Sequence, residues 1–98
     1  MNDPLTIVVR IKAKPGKEGR VKRELIKLLA PTRAEPGCIN FDLHQAVDDA
    51  SLFLVHENWV SEEDLKQHFE MPYLQAWLAE AESLLDMPME LTRWHRVV

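Results

Sequence analysis

The chain has 98 residues, 46% hydrophobic and 29% charged, the mix of an ordinary globular protein; residues 1–98 read as one domain, too short for two independent ones. Twelve Lys and Arg against sixteen Asp and Glu leave a net charge of −4, so there is no positive surplus to hold a nucleic-acid backbone. A single cysteine, Cys38, builds neither an internal disulfide nor a Cys-based zinc site, Asp3, Arg10 and Lys12 interrupt any leader-like opening, and no apolar run nears the roughly 20 residues that span a bilayer; a cytoplasmic protein without nucleic-acid or membrane partners is expected.

Residues 5–14 alternate and are rich in β-branched types, with Ile7, Val9 and Ile11 on one side of a strand and Val8, Arg10 and Lys12 on the other. Pro15-Gly16 breaks the strand, and Val21, Leu25, Leu28 and Leu29 then trace the apolar stripe of a helix over about 17–33. Pro31 is expected to kink or loosen its last turn, and Glu35-Pro36-Gly37 closes it. A second strand, 38–47, places Ile39, Phe41 and Leu43 against Asn40, Asp42 and His44, and a third, 52–60, follows the turn at Asp48 to Ser51 as an antiparallel partner. A three-residue loop puts His44 opposite His56 and a two-residue loop puts it opposite Val55; the sequence leaves both registers open.

Ser61-Glu62-Glu63-Asp64 is a helix start, a hydroxyl cap followed by acids at the positive end of the helix dipole. Leu65, His68 and Phe69 form the inner stripe, and Pro72 separates this helix from a second piece carrying Leu74, Trp77, Leu78, Ala81 and Leu85. A last strand occupies 89–98. The order strand, helix, strand, strand, helix, strand is the split βαββαβ pattern of ferredoxin-like α+β domains, with an antiparallel sheet and helices on one face. Leu52-Phe53-Leu54-Val55 places apolar side chains on both faces, so a second copy of the chain is expected to cover the open one; a monomer with a greasy pocket is the alternative. The three glycines form no phosphate-binding loop, which disfavours the usual nucleotide cofactors.

His68 points to the sheet and needs a hydrogen-bond partner, as a core histidine or as a proton acceptor. Glu57 shares its strand side with Phe53, Val55 and Trp59, while Asn58 faces the other way; a partly buried carboxylate there is either salt-bridged, with Arg10, Lys12 or Arg93 in reach, or poised for proton transfer by a raised pKa. Phe41, Phe53, Phe69 and Tyr73, with the tryptophans, supply aromatic surface for a flat ligand, although Trp77 at helical spacing belongs with the core. His44 and His56 make no metal site by themselves, and Cys38, with no basic neighbour in sequence, reads as an inert thiol.

Glu35-Pro36-Gly37-Cys38 leading into Phe41, the turn at Asp48-Asp49, then Phe53, Glu57-Asn58-Trp59, Ser61-Glu62-Glu63, His68 and the stretch Pro72 to Trp77 together resemble the antibiotic biosynthesis monooxygenase (ABM) family, in its quinol-monooxygenase-like branch. The resemblance spans nearly the whole chain. It implies a homodimeric α+β barrel with a cavity between each sheet and its helices, and oxidation of a quinol or polyphenol by molecular oxygen without flavin, haem or metal. It further implies His68 or Glu57 as base, Asn58 as donor to the substrate oxygen, Trp59 as stacking wall, and Phe41, Phe53, Phe69 and Tyr73 around a small aromatic substrate. One departure is Met71-Pro72-Tyr73, where many relatives carry a second histidine. Haem-degrading enzymes and proteins that process an autoinducer sugar derivative share the family, so an isomerase or a binding module remains open beside the oxidase chemistry.

Overall fold

The structure, a computed structural model, describes residues 4–98; Asp3, on which the expectation of no leader segment partly rests, lies outside the described residues. Strand β1 (Leu5–Lys12) leads to helix α1 (Glu18–Arg33), strands β2 (Cys38–Gln45) and β3 (Leu52–Trp59), helices α2 (Glu62–Phe69) and α3 (Pro72–Leu84), and strand β4 (Glu90–His95). The sheet order is β2-β3-β1-β4 with every neighbouring pair antiparallel, and the helices cover one face. This is the ferredoxin-like α+β arrangement. No helix among the described residues is long and apolar enough to cross a membrane.

The alternation of β1 and β3 sorts the two faces as expected. Ile7, Val9, Ile11, Phe53, Val55, Glu57 and Trp59 turn inward and are buried, and α1 lays Val21, Leu25, Leu28 and Thr32 over them. Pro31 does not end α1, which runs on to Arg33 with Ala34 N–H donating to the Ala30 carbonyl at 3.2 Å. A proline this late removes one backbone bond where the helix is ending anyway. Ser61 caps α2, its Oγ accepting from the Asp64 amide at 3.2 Å, and Pro72 sits at the start of α3, where its missing N–H costs nothing.

Three expectations change. The β2–β3 hairpin has neither proposed register: His44 lies opposite Leu54, and His56 opposite Asp42. The cause is a longer connection, closed by Ala46 N–H on the Leu52 carbonyl (2.9 Å), in which Asp49 Oδ1 accepts from the Ser51 amide (3.0 Å) and hydroxyl (2.6 Å). Ile39 does not share a side with Phe41, because a bulge between Cys38 and Asn40 inserts it as an extra residue and leaves it 52% exposed. Finally, the outer sheet face is mixed rather than apolar. Val8, Leu54 and Trp94 are interspersed with a ladder in which Thr6 bonds Asn58, Asn58 Nδ2 donates to Asn40 Oδ1 (2.8 Å), and Asn40 Nδ2 reaches Asp42 (3.0 Å) and His56 (3.3 Å).

Candidate active site

A cavity of about 200 Å³ lies between the inner sheet face and the helices. The sheet supplies Val9, Ile11, Phe41, Val55, Glu57 and Leu91, α1 supplies Leu25 and Leu28, α2 supplies His68 and Phe69, and α3 supplies Leu74, Trp77 and Leu78. The walls are hydrocarbon and aromatic except for one carboxyl and one imidazole. That is the composition of a site for a small, largely apolar molecule with few polar atoms.

Glu57 stands on β3 between Ile7 of β1 and Phe41 of β2, both buried apolar side chains. Its Oε1 accepts from the Trp59 indole N–H at 2.8 Å. Burial pushes the carboxyl up to about 7, with the charge of Glu35 adding to the rise and the Trp59 bond opposing it. The salt bridge weighed from sequence does not form: no Lys or Arg among the described residues pairs with Glu57.

His68 is buried, and its ring packs on that of Trp59 with centroids 4.6 Å apart and edge-on to Phe41 at 5.8 Å. Its Nδ1 meets Glu35 Oε2 at 2.7 Å. The hydroxyl of Tyr73 donates to that same carboxylate oxygen, and burial together with this bond holds the phenol well above its ordinary pKa, in the protonated, donating form. The sequence assigns Glu35 no role at the site, since Glu35-Pro36-Gly37 reads as the turn that closes a helix and as one motif of the family resemblance. The pairing is made by Gly37: a Cβ there would stand 2.1 Å from Asp64 Cγ, so only glycine lets this turn press against the first turn of α2. Asp64 and His68 are one helical turn apart, which brings Glu35 under the imidazole.

The expected site residues thus separate into groups. Glu57, His68, Phe41 and Phe69 line the cavity together. Trp59, fully buried, touches both polar groups without forming the wall. Tyr73 sits behind His68, bound to Glu35 and bordering a surface groove between α1 and α3. Phe53 is buried in the core beyond the cavity, and Asn58 lies on the opposite sheet face, held by Thr6 and Asn40. Cys38 is half-buried and free, and burial with the nearby Glu35 and Glu57 charges pushes its thiol up to about 11, unsuited to nucleophilic work. Among the described residues no three His, Cys, Asp or Glu side chains converge as a metal-binding group.

The comparisons with known proteins point the same way. The family model for antibiotic biosynthesis monooxygenase matches residues 4–80. Protein sll1783 of Synechocystis sp., uncharacterized, is 33% identical over 94 residues, covering 92% of this chain, which spans 61% of that protein's length. "Putative monooxygenase YcnE" of Bacillus subtilis is 32% identical over 83 residues, covering 85% of this chain and 87% of its own. Among solved structures, PA3566 from Pseudomonas aeruginosa superposes with a TM-score of 0.95 at 35% identity, covering 100% of this chain and 98% of that one. A family match over residues 4–80, together with relatives 33% and 32% identical and a solved structure of the same fold covering the whole chain, settles the lineage: the chain belongs to the antibiotic biosynthesis monooxygenase family.

Proposed function

We propose that the protein is a monooxygenase that oxidises a small phenol or quinol with molecular oxygen and draws on no resident cofactor. The observation that supports this most is Glu57, a carboxyl facing an apolar cavity whose pKa of about 7 matches it to accepting a proton at neutral pH. A phenol in the cavity loses its proton to His68 or Glu57 and becomes an electron-rich anion. That anion reduces oxygen itself: one atom enters the ring, converting a phenol to a quinone or a quinol to a hydroxyquinone, and the other leaves as water. Both electron pairs come from the substrate, so the balance needs no external reductant. The protein's share is to bind the ring between Phe41 and Phe69, take the proton and keep bulk water from returning it.

In this reading Trp59 acts through Glu57 and His68 rather than as a stacking wall, and Asn58, facing away from the cavity, is not carried forward as a substrate donor. The exposed apolar side chains of the outer face, Leu54, Ile39 and Trp94, support a second copy of the chain as its cover, the homodimer of the α+β barrel; sedimentation at a sedimenting mass of one chain contradicts that part.

Oxygen consumption tests the function. Metal-free protein is given a panel of hydroquinones and polyphenols, with spontaneous oxidation subtracted and His68→Ala run in parallel. Protein-dependent uptake that the variant lacks is expected; uptake equal to the blank for every compound contradicts the reading and favours an isomerase or binding module using the same cavity.

A further inference from the structure

Between the cavity and the surface runs a short chain of polar side chains, of which the proposed chemistry uses only His68. His68 borders the cavity, Glu35 lies behind it, and Tyr73 borders the groove between α1 and α3 on the far side; Leu28 and Trp77, which touch both spaces, form the wall that the chain crosses. Glu35 Oε2 receives two groups at once, the His68 ring nitrogen at 2.7 Å and the Tyr73 hydroxyl. An ionised carboxylate oxygen accepts both. A neutral carboxylic acid would instead donate its own hydrogen to a bare His68 Nδ1 while still accepting from Tyr73, so the two forms of the contact differ in the tautomer of His68. With Glu35 as a carboxylate, Tyr73 and His68 Nδ1 both donate to the same oxygen, and Nε2 is left bare.

We infer that Glu35 and Tyr73 are positioning residues that hold His68 in the tautomer with Nδ1 protonated, so that Nε2, which makes no hydrogen bond among the described residues, presents its lone pair to a ligand in the cavity. Neither residue touches the substrate. Glu35 fixes which nitrogen is the base, and Tyr73 fixes Glu35 from the surface side, where the cavity ligand does not reach. The raised pKa of Tyr73 accords with a phenol that stays protonated and keeps donating. The inference rests on the reading of His68 as a base, but it fixes a property of the free protein that is measurable without substrate.

The test is a long-range proton–nitrogen correlation spectrum of the full chain labelled with ¹⁵N-histidine, at a pH where the imidazole is neutral, for the wild type, Glu35→Gln and Tyr73→Phe. The wild type is expected to show His68 with Nδ1 protonated and Nε2 bare; the opposite tautomer overturns the inference even if both variants fail to fold. Glu35→Gln, whose amide can turn either an oxygen or an NH₂ to the ring, is expected to shift at least half the population to the Nε2-protonated form, and an unchanged spectrum overturns the role of Glu35. Tyr73→Phe is expected to keep the tautomer while its Nδ1 proton exchanges with water about tenfold faster, because the donor that closes the carboxylate to solvent is gone; unchanged exchange removes Tyr73 from the assignment. With any phenol that the wild type oxidises, Glu35→Gln should lower kcat about tenfold or more with KM within about twofold, and a rise in KM alone contradicts positioning. If no phenol is oxidised, the monooxygenase reading fails while the spectra still decide the tautomer.

Discussion

The two faces of the sheet carry the same polar vocabulary to different ends. On the outer face Thr6, Asn58, Asn40, Asp42 and His56 satisfy one another across three strands within reach of water. On the inner face Glu57 has one indole N–H, and His68 has one carboxylate, in surroundings of hydrocarbon. The outer groups form a closed hydrogen-bond ladder, whereas the inner ones keep unused proton capacity at the edge of a cavity. Chemistry is thus assigned by how little the surroundings satisfy a group, not by which residue types are present.

The largest expected effect breaks this contrast directly. His68→Ala should lower the oxidation rate roughly a hundredfold or more, as for loss of a positioned base, while His44→Ala, on the exposed end of β2, should leave it within about twofold; steady-state oxygen uptake on the two variants compares them. Next is pH. The Glu57 carboxyl binds its proton more tightly in the folded chain than its ordinary value of 4.5, so the stability it lends is full below that value and is lost as pH rises through about 7. The loss is about 3 kcal/mol at most, and the difference between wild-type and Glu57→Gln urea midpoints at pH 5 and pH 8 should reveal it, the variant lacking that part of the slope.

Gly37→Ala should cost about 2 kcal/mol by forcing the turn off α2, and it should loosen the Glu35 to His68 contact as well; a melting temperature unchanged from wild type would remove Gly37 from the account. The smallest effect sharpens the comparison from the other side. Asn58→Ala breaks the outer ladder and should cost about 1 kcal/mol in denaturant unfolding with activity within about twofold, whereas a large loss of turnover would return Asn58 to the substrate.

Much of this was legible in the sequence because it rests on period. Alternation in β1 and β3 placed Ile7, Val9, Glu57 and Trp59 inside and Asn58 outside, and the helical stripe put His68 against the sheet. Proline and serine chemistry marked the break between α2 and α3 and the cap at Ser61. What period does not encode was missed. The hairpin register depends on an Asp49 side chain folding back onto Ser51, and Ile39 was turned outward by a bulge in its own strand. Glu35 was hidden for a related reason: its partner is 33 residues away, and they meet only because Gly37 lacks a side chain. The buried imidazole announced that a partner exists; only the packing of the turn on α2 names it.

The most direct test of the central claim, that the inner cavity binds a phenol and takes its proton, uses a nitrophenol too electron-poor to react, whose ionisation is visible by absorbance, added to methyl-labelled protein. The account expects the bound phenol to be in its anionic form at a pH where most of the free compound is neutral, with methyl shifts at Val9, Val55 and Leu28. Binding as the neutral phenol, or shifts confined to Val8 and Leu54 on the outer face, would contradict it.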